Sequence, residues 1–269
     1  MKRILVYTAI VDSRLDRMWP QLFDLLDDVE RLSASRFRFE IHQRSYIAAH
    51  ALKRLALSIA EPVPPKDWRF KSDPFGKPSV SFESDLCFNI SHCQTLVCCA
   101  VASKSELGRQ LFRSSHPESQ NALVARALHP APASAGTYFA LGVDVERIGE
   151  APPFEVASTV FSAAERHWLE SLPAAERPRG FYRLWTLKEA FVKATGRGLS
   201  QALTEFSFAF APLRVSFADP EFGDSAKWCF REMAPDKAHA LALAWYGSPD
   251  AIVEWRRASF EALLDARGC

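Results

Sequence analysis

Residues 103–136, SKSELGRQLFRSSHPESQNALVARALHPAPASAG, decide how the rest of this sequence is divided. The stretch is rich in Ser, Ala and Pro and sustains no hydrophobic periodicity, beyond a helical turn or two expected at 122–128. A segment of this length between two patterned regions reads as a connector. The chain is therefore expected to have an N-terminal half at 1–102, a Ser/Ala/Pro-rich linker at 103–137 and a C-terminal half at 138–269. Arg109, Arg113 and Arg126 would give that linker a cationic face toward an acidic partner, or simply solvate a loop.

Working outward, each half offers helices first and strands last, the order of an α+β unit rather than of a continuous parallel sheet. Residues 44–60 (RSYIAAHALKRLALSIA) place Ile47, Ala51, Leu55 and Ile59 on one helical stripe, and residues 181–195 do the same with Phe181, Leu184, Trp185, Phe191 and Val192. Strands are expected at 86–90, 95–101, 138–146, 203–210 and 240–246. Cys87-Phe88 ahead of one apolar strand echoes Cys229-Phe230 ahead of LALAWY, a faint sign of duplication. The tail AIVEWRRASFEALLDARGC (251–269) brings Ile252, Trp255, Phe260, Leu263 and Leu264 near one helical face and predicts a terminal helix.

Composition limits the classes. With 269 residues, 48% of them hydrophobic, the chain can bury a core without disulfides or a structural metal. Lys and Arg number 33 against 32 Asp and Glu, so the formal charge of +1 lacks the basic field of a general nucleic-acid binder. No run approaches the roughly 18 apolar residues of a membrane span, and Asp12, Arg14 and Asp16 interrupt the N-terminus before a secretory core develops. A cytoplasmic protein with no membrane and no nucleic-acid partner is expected. The cysteines at 87, 93, 98, 99, 229 and 269 form no CxxC pair and read as reduced, small hydrophobes, with Cys269 the most open to oxidation.

Three short segments carry chemistry. In GVDVERI (142–148) period two puts Asp144 and Glu146 on one face of a strand. Such a pair is either a solvated face or holds a proton or cation between its charges, and oxygen ligands favour Mg²⁺ or Mn²⁺ over zinc. In WTLKEAFVKATGRGLS (185–200) a helix ends at Gly196 and Gly198, with Glu189 and Lys193 one turn apart. They form a surface ion pair or, beside Trp185, Leu187 and Phe191, the edge of a metal site. In FNISH (88–92) Ser91 and His92 at a turn either shape the turn or bind phosphate oxygens, and no Gly-rich phosphate loop accompanies them.

The order and spacing of these segments resemble the 4′-phosphopantetheinyl transferases, of the larger two-halved type that activates peptide and polyketide synthase carriers. The resemblance rests on Phe75-Gly76-Lys77-Pro78, Phe88-Asn89-Ile90-Ser91-His92, Gly142-Val143-Asp144-Val145-Glu146, Phe161-Ser162 with Glu165, Trp185-x-x-Lys188-Glu189-Ala190-x-x-Lys193 and Gly196-Arg197-Gly198-Leu199-Ser200. It implies an α+β fold of two similarly folded halves with a pseudo-twofold relation. Each half would be a small antiparallel sheet packed on helices, with the active site in the cleft between them. It implies a monomer that moves the phosphopantetheine arm of coenzyme A to a serine of an apo acyl or peptidyl carrier protein, leaving 3′,5′-ADP.

By that resemblance Asp144, Glu146 and Glu189 hold Mg²⁺ (or Mn²⁺). Glu189 or a metal-bound water is the base, and Lys193 meets a phosphate oxygen. Lys77, Ser91 and His92 hold the coenzyme A phosphates, with His92 near the 3′-phosphate, where Arg44 also contributes. Arg31, Arg36 and Arg38 compete for a further basic position, and Glu165 is either a family site residue or a helix-start carboxylate. Residues 152–161, with Phe154, Val156, Val160 and Phe161, are a carrier socket or core. The long connector departs from the short turn of many relatives.

Overall fold

The computed structural model describes residues 2–107, 110–111, 137–138, 140–149, 152–198 and 201–266. The helical turn expected at 122–128, the linker arginines, Leu199, Ser200 and Cys269 lie outside the described residues. In chain order the strands are β1 (Arg3–Ile10), β2 (Phe70–Ser72), β3 (Pro78–Val80), β4 (Leu86–His92), β5 (Leu96–Ser103), β6 (Gln110–Leu111), β7 (Thr137–Tyr138), β8 (Leu141–Arg147), β9 (Phe206–Phe210), β10 (Leu213–Phe217), β11 (Trp228–Met233), β12 (His239–Tyr246) and β13 (Ile252–Arg257). The helices are α1 (Trp19–Asp24), α2 (Asp28–Ser35), α3 (Glu40–Ala60), α4 (Lys104–Leu107), α5 (Ala157–Val160), α6 (Ala163–Ser171), α7 (Arg177–Thr195) and α8 (Phe260–Asp265).

The fold is α+β, built on two sheets. One has the order β13-β1-β5-β4 and the other β11-β12-β8. Three apolar clusters show the layering. Ala48, Leu52 and Leu55 of α3 pack on Tyr7, Phe88, Val97 and Cys99 of the first sheet. Leu184, Leu187 and Phe191 of α7 pack on Ala242 and Ala244 of the second. Between the sheets, Ile4, Val6 and Cys98 meet Val143, Val145, Leu241 and Leu243. The order is helix, sheet, sheet, helix. Each fully buried Ile, Val or Leu contributes about 1.5–3 kcal/mol through the water its surface releases.

The structure corrects four expectations. The first half opens with strand β1, not a helix. Leu5 and Tyr7 face the helix layer while Ile4 and Val6 face the second sheet, so the strand lacks the alternation that marks a half-buried one. The first sheet is mixed rather than antiparallel, because β13 pairs with β1 in parallel. The tail is a strand followed by a short helix, not one helix. Val253 and Trp255 alternate into the inter-sheet core, and the Ser259 side chain caps α8 at the Ala262 amide. Residues 252–257 therefore join the first sheet although they follow the second in sequence, and Phe260, Leu263 and Leu264 of α8 pack into the core on its helix side. Finally, residues 203–205 form a 3-10 turn, and the strand begins only at Phe206.

Two close approaches fix α7. At Gly142 an added Cβ would run into the Ala190 carbonyl oxygen and the Ala194 amide nitrogen, so helix backbone lies directly on β8. On its other side Lys188, fully buried, reaches Glu165 at 2.9 Å and donates to the carbonyls of Leu203 at 2.6 Å and Phe206 at 2.8 Å. Glu165 also accepts from the Phe208 amide at 2.8 Å and closes the Ser162 capping box at the start of α6. Glu165 is thus a buried structural carboxylate.

Gly142→Ala is expected to cost at least about 1–3 kcal/mol, because backbone rather than a movable side chain stands in the way. Thermal unfolding should show a loss of about 5 °C or more. A variant as stable as the wild type would mean that α7 rides higher on β8.

Candidate active site

Strand β8 sorts its side chains by period two. Val143 and Val145 enter the inter-sheet core, while Gly142, Asp144 and Glu146 take the other face, where α7 lies on Gly142. β8 is an edge strand of its sheet, and β4 is an edge strand of the other. Side chains join them: Asn89 Oδ1 accepts from the Val143 amide at 2.8 Å, and Ser91 Oγ from the Val145 amide at 3.4 Å. Ser91 also donates to Asp144 Oδ1 at 2.8 Å.

Helix α7 brings three residues over this seam. Lys193 Nζ donates to Asp144 Oδ1 at 2.6 Å and to Ser91 Oγ at 2.9 Å. Its partner is therefore Asp144, across the fold, and not Glu189 one turn away. Burial alone would push Lys193 down, but the charge and hydrogen bond of Asp144 outweigh it and hold the ammonium up. Burial and then the Asp144 charge push Glu189 up. Glu146 rises for the same two reasons, with Glu189 adding to the effect and the Trp185 indole N–H, 3.2 Å from Oε1, opposing it.

The arrangement meets some requirements of a hard divalent cation. Asp144 Oδ2 is buried without a hydrogen-bond partner, and the Asp144 charge raises the proton affinity of Glu146 and of Glu189, with Glu189 adding to the effect on Glu146. Among the described residues, however, no group of three or more His, Cys, Asp or Glu side chains is already gathered as a metal site. Asp144 is held toward Lys193 instead.

The other expected site residues are placed unequally. His92 ends β4 beside this cluster. Although His92 keeps an exposed edge, partial desolvation by the packed cluster, then electrostatic interaction with His50 and Lys193, pushes its imidazole down to about 4. Lys77 donates to the Ala194 carbonyl at 2.9 Å, at the C-terminal end of α7 where the helix dipole favours a cation. Burial pushes its ammonium down to about 8. Arg44 pairs with Asp16 at 3.0 Å and Glu40 at 2.6 Å and lies over Trp19, so its contacts are with α1, the segment before it and its own helix. Arg31 pairs with Asp24, while Arg36 and Arg38 are exposed. Phe161 is core and Phe154 is 41% exposed.

Sequence reasoning put Asn89 in a turn with Ser91 and His92 and gave it no role, whereas all three lie in strand β4; it missed the hydrogen bond from Trp185 to Glu146. The signal for the first was available: Asn89 and Ser91 are two apart on a strand and must share a face.

A family model described as the 4′-phosphopantetheinyl transferase superfamily matches residues 140–244. The 4′-phosphopantetheinyl transferase HetI of Nostoc sp. is 29% identical over 242 residues, spanning 87% of this chain and 86% of that protein. The 4′-phosphopantetheinyl transferase Sfp of Bacillus subtilis is 25% identical over 262 residues, spanning 96% of this chain and 99% of its own length. Among solved structures, Thermotoga maritima holo-[acyl-carrier-protein] synthase is similar with a TM-score of 0.35 and 21% identity, over 40% of this chain and 63% of that one.

Lys193→Met should destabilise the protein by about 1–3 kcal/mol by leaving Asp144 buried without its cation. Adding Asp144→Asn should return much of that loss in denaturant unfolding. Strictly additive effects would show that the pair is not coupled.

Proposed function

Because the chain belongs to the 4′-phosphopantetheinyl transferase superfamily and is an enzyme of that type, we propose that it transfers the 4′-phosphopantetheine arm of coenzyme A to a serine of an apo acyl or peptidyl carrier protein, releasing 3′,5′-ADP. The observation that carries this reading is the buried Asp144–Ser91–Lys193 cluster between the two edge strands, with Asp144 Oδ2 unpartnered and two further carboxylates beside it.

Asp144, Glu146 and Glu189 would hold Mg²⁺ (Mn²⁺ as the substitute). A divalent ion bound there neutralises pyrophosphate charge and aligns it for displacement. Lys193 then meets a phosphate oxygen and offsets charge as it develops on the leaving group. Glu189, or a water held at the ion, would take the proton of the serine hydroxyl. The serine oxygen attacks the β-phosphorus of coenzyme A, and the phosphoanhydride bond breaks. The electron pair of that bond leaves on the α-phosphate of 3′,5′-ADP.

Ser91, His92, Lys77 and Arg44 would line the coenzyme A phosphates, with His92 and Arg44 toward the 3′-phosphate. A phosphate beside neutral His92 would raise its proton affinity again, so binding there would be linked to proton uptake. The exposed Phe154 supports a carrier-facing surface after β8. Two halves related by a pseudo-twofold would frame the cleft. The repeated order supports this: along the chain β1, α3, β4 and β5 match β8, α7, β11 and β12, and the strands are arranged as β1-β5-β4 in one sheet and β8-β12-β11 in the other. The enzyme would act as a cytoplasmic monomer, and among the described residues no helix is long and apolar enough to cross a membrane.

Intact-mass spectrometry of apo carriers with this protein, coenzyme A and Mg²⁺ tests the reaction. A gain of one phosphopantetheine arm is expected, absent with EDTA or with a serine-to-alanine carrier. Asp144→Asn and Glu189→Gln should abolish the gain, and Lys193→Met should slow it by about 10²-fold. Coenzyme A binding without any mass gain across a broad carrier panel would favour a non-catalytic binding protein. Normal turnover in the carboxylate variants would overturn their assignment.

Mg²⁺ alone should raise the unfolding temperature of the wild type and leave that of Asp144→Asn nearly unchanged. Equal shifts in both proteins would place the ion elsewhere.

A further inference from the structure

We propose that Asn89 is a positioning residue: its side-chain oxygen stands in for a missing neighbour strand and sets where β8 presents Asp144 and Glu146. The metal part of this inference rests on the role proposed above for those carboxylates. The structural part does not.

Among the described residues β8 has a strand neighbour only on its β12 side, so the Val143 and Val145 amides that turn the other way have no ladder partner there. Val143 and Val145 are both 0% exposed, which removes water as a substitute. A buried N–H without an acceptor costs about 1–3 kcal/mol. β4 runs beside β8 in the same sense, matching Asn89 to Val143 and Ser91 to Val145. The two rungs are unequal, 2.8 Å at Asn89 and 3.4 Å at Ser91. The inequality follows from what else Ser91 does, since its hydroxyl donates to Asp144 at 2.8 Å and accepts from Lys193 at 2.9 Å.

The labour is thus divided. Ser91 serves the Asp144 carboxylate, and Asn89 carries the strand. Asn89, 5% exposed, acts on Asp144 only through the Val143 peptide that precedes it. Losing this rung would let β8 move against α7, which already touches it at Gly142, and would loosen the spacing of Asp144 and Glu146 relative to Glu189.

Two variants with the same branching at Cγ separate acceptor from packing. Asn89→Leu removes the acceptor, and Asn89→Asp keeps it. Leu57→Ala, in the α3 core away from the seam, controls for general loss of stability. Amide exchange at Val143 should quicken about tenfold or more in Asn89→Leu, the equivalent of about 1.4 kcal/mol, and stay near wild type in Asn89→Asp. With no substrate present, the Mg²⁺ concentration giving half of the thermal shift should rise at least about fivefold in Asn89→Leu only. In the transfer assay kcat should fall while KM for coenzyme A changes less than about twofold. Leu57→Ala should reproduce none of these.

A protected Val143 in Asn89→Leu would overturn the proposal, as would the same losses in Asn89→Asp or in Leu57→Ala. If Mg²⁺ gives no shift even in the wild type, the metal reading fails on its own, and Val143 exchange with the kcat and KM split still decides Asn89.

Discussion

The site depends on a seam between two edge strands that share no backbone ladder. β4 closes one sheet and β8 the other, and what passes between them is side-chain chemistry from Asn89 and Ser91 to backbone amides. An edge strand with buried amides is costly unless something accepts from it. Here Ser91, which helps to satisfy the edge, also holds Asp144. Stability and chemistry are therefore coupled at one line of contact, and the inter-sheet core of Ile4, Val6, Val143 and Val145 lies directly behind it.

Helix α7 meets that line from above. Its height is set by backbone contact at Gly142, and Lys188 anchors it to Glu165 and two carbonyls on the far side. One helix thus carries a buried lysine that fastens it and, five residues on, a second lysine that reaches Asp144. The two ammonium groups differ in surroundings rather than in chemistry. Lys188 is 0% exposed and pushed down by burial, whereas the Asp144 charge holds Lys193 up. The Glu165–Lys188 pair does not call for a catalytic role, because every polar partner it needs is a capping amide, a strand amide or a carbonyl.

Much of the site was legible because its chemistry follows local periods. Asp144 and Glu146 share a face by the two-residue period of a strand, and Glu189 and Lys193 by the turn of a helix. The long helices were equally plain, since Leu55 and Phe191 sit on simple apolar stripes. β1 was hidden for the opposite reason: RILVYTAI is covered on both faces and has no polar phase to mark it. The tail misled because Ile252, Trp255 and Phe260 mimic helical spacing over a short run that β13 and α8 in fact divide.

By itself the sequence determined residue types, their local faces, the two patterned regions and the family resemblance, all of which are properties of short windows. Only the tertiary structure decided partners. It gave Lys193 to Asp144 instead of Glu189, turned Lys77 to the end of α7, occupied Arg44 with Asp16 and Glu40, and returned residues 252–257 to the first sheet. These choices join positions far apart in the chain. Each depends on which buried charge or amide is left without an acceptor once the layers have packed, and no local period encodes that.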